Sequence, residues 1–163
     1  MRFLMRQSAH YFPDRLITML SRSLLLLALG LALFSGVEAM RKQGVAVKGR
    51  LLCGAKPSEG AKVRITDIDT GPDPDDTLDE KLIDAATGEF KLTGFTRELT
   101  DIDPVLYIWH NCNDGDTPCE KKLKFVIPKK YIISKEAEEQ NWVDVGVINL
   151  QSTFEKEKRE CIN

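Results

Sequence analysis

The chain reads as an all-β protein, a two-sheet sandwich of about seven strands. Three observations predict it. Apolar and polar residues alternate with period two in several short runs, the pattern of a half-buried strand. Gly, Pro and Asp clusters separate those runs. A single segment, Ser134 to Gln140, has helix-forming composition. Many short strands with closely spaced turns in a domain this size argue for a sandwich.

The first element along the chain lies outside that fold. Ser23 to Phe34 is an apolar run preceded by arginines, and Val37-Glu38-Ala39 places small residues before a cut after Ala39. That layout is a secretory signal peptide. A membrane anchor is the alternative, but spanning a bilayer takes about 20 apolar residues. The expected organisation is a signal peptide over 1–39 and one domain over 40–163. Residues 1–18 are an upstream extension if translation starts at Met19 rather than Met1.

Within the domain, Val45, Val47, Leu51 and Cys53 share one face of the first strand. Lys56-Pro57-Ser58-Glu59-Gly60 reads as a hairpin loop into Ala61, Val63 and Ile65, which alternate with Lys62, Arg64 and Thr66. Ala86-Thr87-Gly88 is a turn into Phe90 and Leu92. Pro104 opens one strand and Pro128 closes another, where a missing N–H is tolerated. Leu123, Phe125 and Ile127 alternate with Lys122 and Lys124, and Val143, Val145 and Val147 with Asp144 and Gly146. Ser134 to Gln140 is long enough for about two helical turns, with Ser134 as its cap.

The strand Val105 to His110 breaks the rule. Val105, Tyr107 and Trp109 take one side, and Leu106, Ile108 and His110 the other, so both faces are apolar. In a two-sheet sandwich only one face meets the core. The second needs a cover: a loop or the short helix, or else a partner or ligand. Tyr107 and Trp109, with Lys122 and Lys124 nearby, make this the candidate ligand or interface face.

The formal charge is −2. Removing residues 1–39 takes away four arginines and two acids, leaving 19 basic against 23 acidic side chains, or −4. A mildly acidic domain offers no electrostatic case for nucleic acid, and no second apolar run is long enough to cross a membrane. No Asn-x-Ser/Thr glycan acceptor occurs.

Four cysteines in an exported chain read as two disulfides. Cys112 and Cys119 flank a turn-rich segment and pair across it in this reading; Cys53 then pairs with Cys161 and staples the tail. By loop closure the first bridge contributes about 2–3 kcal/mol and the second about 4–5.

At this point the motifs acquire a family likeness. Val47-Lys48-Gly49-Arg50-Leu51-Leu52-Cys53, Asp67-Ile68-Asp69-Thr70-Gly71-Pro72-Asp73-Pro74-Asp75-Asp76-Thr77-Leu78, Gly88-Glu89-Phe90, Ile102-Asp103-Pro104, His110-Asn111-Cys112-Asn113-Asp114-Gly115 and Pro118-Cys119 follow in order. Together, from Val45 to Cys161, they resemble the nematode transthyretin-like family of secreted proteins. The resemblance implies a transthyretin-like (prealbumin-like) Greek-key β-sandwich, secretion and two disulfides. Most members of that family have no assigned molecular function. At least one resembles a bridge between phosphatidylserine on dying cells and a phagocyte receptor, a role that has no short motif to match and so is not carried over to this chain. The related hydroxyisourate hydrolases use a histidine near the domain start and a C-terminal Tyr-Arg-Gly-Ser. This chain ends Arg159-Glu160-Cys161-Ile162-Asn163, and His110 is mid-chain.

Three constellations have both a chemical and a plain reading. His110 with Asp114 and Asp116 is an acid/base or metal cluster, or a strand end beside a turn. Asp67, Asp69, Asp73, Asp75 and Asp76, with Asp79 and Glu80 behind them, are a weak Ca²⁺ candidate, or solvated acids on a stiff loop. Lys121, Lys122, Lys124, Lys129 and Lys130 are a solvated strand face that discourages edge pairing, or a contact for acidic headgroups.

The sequence therefore points to a secreted, extracellular or cell-surface binding protein with no cofactor and no catalytic residues. Its expected partner is an extracellular protein, a lipid or a small apolar ligand. The alternatives are a hydroxyisourate-hydrolase-type enzyme, which lacks its motifs here, a phosphatidylserine-binding bridge, and a structural or host-interaction protein.

Overall fold

The computed structural model describes residues 40–68 and 75–161. The expected signal peptide, 1–39, lies outside them, as do Asp69 and Asp73 of the acidic segment. Nine strands are present among the described residues: β1 (Arg41–Cys53), β2 (Lys56–Pro57), β3 (Lys62–Asp67), β4 (Asp76–Leu82), β5 (Glu89–Glu98), β6 (Pro104–His110), β7 (Glu120–Val126), β8 (Val143–Asn149) and β9 (Lys158–Glu160). One sheet is built on β1, which pairs antiparallel with β5 and β2 and parallel with β8. The second sheet has the order β4-β3-β6-β7-β9.

The predicted alternation builds the core. Val45, Val47, Leu51, Phe90 and Leu92 from the first sheet meet Val63, Ile65, Leu106, Ile108 and Leu123 from the second. Ala61, Ile83, Ile102, Ile127 and Leu150 close the ends. Removing these side chains from water is the main stabilising term.

Four local expectations are corrected. The Lys56–Gly60 hairpin loop contains β2, which folds back on Leu52 and Cys53. The acidic segment after Asp75 is a strand, not a loop: β4 pairs along β3 from Lys62↔Leu82 to Asp67↔Asp76. Across the open side of β4, Asp79 accepts from Thr93 N–H at 3.0 Å and Lys81 donates to Lys91 C=O at 3.1 Å. The Ser134–Gln140 helix is absent, and only a 3₁₀ turn forms at Glu139–Asn141. Ile133 is claimed by β1 through two backbone hydrogen bonds with Gly44, and so short a segment does not offset helix nucleation. Finally, β8 carries an extra residue. Lys48 faces Asp144, but Arg50 faces Val147. Gly146 absorbs the bulge at φ +68°, so Val147 turns out to solvent and Ile148 takes its place inward.

The disulfide pairing is also corrected. The bridges are Cys53–Cys112 and Cys119–Cys161, not Cys53–Cys161 and Cys112–Cys119. The reason is register. β9 pairs with β7 through Glu120↔Glu160, so Cys119 and Cys161 are the next opposed positions. Cys112, two residues past β6, turns inward and is buried, where it meets Cys53 at the end of β1. One bridge therefore ties sheet to sheet, and the other ties the last strand to its neighbour.

Candidate functional site

The second face of β6 is where the sequence broke its own rule. β6 alternation sends Leu106, Ile108 and His110 inward and leaves Val105, Tyr107 and Trp109 outward. Register then decides who surrounds them. Lys62 and Arg64 of β3 lie opposite Trp109 and Tyr107. Lys122 and Lys124 of β7 flank the same two rings from the other side, and Lys158 of β9 lies beyond Lys122. Tyr107, Trp109, Lys122 and Lys124 are thus neighbours on this face.

Among the described residues, the cover over Trp109 is neither a loop nor a helix. It is 1% exposed because long basic side chains lie across it. The ammoniums of Lys62 and Lys122 and the guanidinium carbon of Arg64 each sit 4.9 Å from its ring. Tyr107 packs beside it with ring centroids 5.6 Å apart. Lys122 is also 4.1 Å from the Tyr107 ring and Lys124 5.9 Å. The aliphatic stems cover apolar surface while the charges rest on π faces.

Two carboxylates balance part of this charge. Glu80 pairs with Arg64 and lies 3.9 Å from Lys62, and Glu160 pairs with Lys122. Lys124, Lys156 and Lys158 have no ion pair among the described residues. Burial pushes the Tyr107 hydroxyl pKa up, helped by Asp75 and Glu160. Beside Tyr107 an open groove of about 560 Å³ is lined by Lys122, Lys124, Val126, Lys156 and Lys158. Val126 is 72% exposed at its rim. Sequence reasoning missed Lys62, Arg64, Glu80, Lys158 and Glu160. The first two alternate with Val63 and Ile65, so their solvent face was readable, but not their neighbour.

The other candidates among the described residues have local partners. His110 is buried, and both ring nitrogens are engaged. Cys112 N–H donates to Nδ1 at 3.3 Å, so Nε2 carries the proton and faces Glu157 Oε1 at 3.2 Å. Asp114 is held by Arg159 at 2.6 and 2.7 Å, which keeps its carboxyl below the ordinary range. Arg159 also donates to Pro118 and Cys119 carbonyls, filling the mouth of the β6–β7 loop. Asp67 is buried and accepts from Asp103 N–H at 2.7 Å. Among the described residues no cluster of three or more acidic, histidine or cysteine side chains is arranged for a metal.

The sequence profile of the transthyretin-like family matches residues 48–128. Transthyretin-like protein 46 of Caenorhabditis elegans is 47% identical over 138 residues, covering 84% of this chain and 76% of the relative. The chain belongs to the transthyretin-like family. Transthyretin-like proteins 33 and 2 of the same nematode are 45% and 39% identical, covering 78% and 83% of this chain and 88% and 96% of theirs. A crystal structure of a 9R-lipoxygenase from Cyanothece overlaps 66% of this chain and 16% of that one, at 21% identity and a TM-score of 0.35, too distant to bear on function. The profile of this transthyretin-like chain takes in β3, β6 and β7, and so Lys62, Arg64, Tyr107, Trp109, Lys122 and Lys124. It stops short of β9 and Glu160.

Proposed function

We propose that this transthyretin-like protein is secreted and works by binding rather than catalysis. Its contact surface is the outer face of the β4-β3-β6-β7-β9 sheet, and its partner is an acidic lipid surface. One observation carries the reading: an aromatic pair lies under four cations beside an open basic groove rimmed by exposed Val126. Basic side chains next to an acidic bilayer contribute about 1 kcal/mol each, and Val126 offers an apolar contact. The leader and two disulfides suit an oxidising extracellular compartment.

Vesicle co-sedimentation tests it. The protein is expected to bind phosphatidylserine-containing vesicles and to leave them as salt rises. Lys124→Ala with Lys158→Ala should weaken binding about tenfold or more, from roughly two such contacts. Equal binding to phosphatidylcholine alone rejects the reading. Detection of the natural protein inside cells with its leader uncleaved rejects the localisation.

A further inference from the structure

We infer that Lys62, Arg64 and Lys122 around Trp109 form a seat for a phosphate-type oxyanion, and that Glu160 occupies this seat until the ligand displaces it. The inference rests on the preceding reading and deepens it, naming the group recognised and the residue that competes for it.

The donor inventory carries the argument. Lysine, arginine and the indole N–H only donate hydrogen bonds; none accepts. Trp109 is 1% exposed, and its Nε1 has no hydrogen-bond partner among the described residues. A buried donor without an acceptor is destabilising, and native proteins satisfy nearly all of them. The ring bearing this donor lies 4.9 Å from each of three cationic groups. Apart from the carboxylates of Glu80 and Glu160, the groups that converge there are donors, so a further complementary ligand is an acceptor-only group with negative charge. A phosphate oxyanion fits that description and takes the planar guanidinium of Arg64 in two-point contact.

The two native carboxylates at this cluster are not equivalent. Glu80 is shared by Arg64 and Lys62, whereas Glu160 is held, among the described residues, by Lys122 alone. Glu160 is also the more exposed of the two, 44% against 35%. It ends a three-residue edge strand, so a side-chain rotation frees Lys122 without moving the core. Glu160 thus acts as an internal stand-in for the ligand's charge and lowers the affinity for an incoming anion.

The test uses the protein with Trp142→Phe, so that Trp109 is its one tryptophan. Inorganic phosphate is titrated while the indole N–H resonance is followed. Vesicles of phosphatidylserine in phosphatidylcholine are then added while Trp109 emission is followed. A saturable change is expected that sodium chloride of equal ionic strength does not produce. Glu160→Gln should tighten binding about fivefold, the worth of one surface ion pair, and Lys122→Met should weaken it. A response to free phosphate alone identifies a soluble phosphate ligand; a response that needs vesicles identifies the headgroup. Both support the seat. An indole unmoved by either probe, or a Glu160→Gln variant that binds no tighter, overturns it. If the protein still sediments with acidic vesicles in a salt-sensitive way, the membrane reading survives that result. If it sediments with none, both fall. Glu160→Gln changes an exposed side chain at nearly constant size, so the outcome does not depend on Lys122→Met folding.

Discussion

His110 is tied at both nitrogens, and that fixes how the domain responds to acid. Burial pushes its pKa below the ordinary 6.5, and Lys121 adds to this; Glu157 and Asp114 oppose it. The folded imidazole therefore takes a proton at lower pH than the unfolded one. Stability is complete above about 6.5 and is lost as pH falls through the interval below it, because the unfolded chain binds protons first. His110 is the one histidine after residue 39, and carboxylates titrate lower. Urea midpoints measured between pH 8 and pH 5 should fall on acidification in the wild type and stay nearly flat in His110→Gln. A wild-type profile as flat as the variant's would refute the buried neutral imidazole. Two glycines separate shape from space. Gly146 sits at φ +68° with nothing within 4 Å of an added Cβ, so Gly146→Ala should cost about 1–2 kcal/mol from backbone conformation alone. At Gly94 an added Cβ would lie 2.2 Å from Leu78 O, so Gly94→Ala should cost more, by forcing β4 and β5 apart. Equal losses in urea denaturation would contradict this distinction.

Strands differ in how plainly their residues announce them. β3, β5 and β7 bury mainly one face, so Val63 and Ile65 or Phe90 and Leu92 mark them by alternation. β4 is an edge strand whose sequence, Asp76-Thr77-Leu78-Asp79-Glu80-Lys81-Leu82, shows no apolar face, because Leu82 is exposed and a bulge breaks the register. β9 has three charged residues and no apolar one. Its pairing with β7 is set by tertiary register and the Cys119–Cys161 bridge, neither of which leaves a local signal. The candidate site divides the same way. Tyr107 and Trp109 were legible as apolar residues on the wrong face of β6. Glu160 was not, because nothing local places β9 beside Lys122. This makes β9 the element to test. Cys119→Ser with Cys161→Ser should raise amide hydrogen exchange at Lys158–Glu160 and along the facing edge of β7, while β3 and β6 stay protected. Uniform deprotection of both sheets would show that β9 is integral to the core.

Across the whole molecule, the corrected pairing changes what the disulfides do. The expected arrangement nested a short loop inside a long one. The observed bridges close separate loops, with sequence separations of 59 and 42. Loop-closure entropy then assigns about 4 kcal/mol to each, and because the loops share no residues the two contributions should add. Against a typical net stability of about 5–15 kcal/mol, losing both would leave little. Their structural consequences differ even where their entropies match. Cys53–Cys112 joins the β1 sheet to the β6 sheet beside the buried core, so its loss loosens sheet-on-sheet packing. Cys119–Cys161 joins neighbours within one sheet. Replacing Cys53 and Cys112 by serine should therefore lower the urea midpoint and increase binding of a dye that reports exposed apolar surface. Replacing Cys119 and Cys161 should lower the midpoint comparably without the dye signal. Removing all four should lose the sum, about 8 kcal/mol. A four-serine variant no less stable than either pair alone would mean that both bridges restrain the same part of the unfolded chain, which separate loops do not permit.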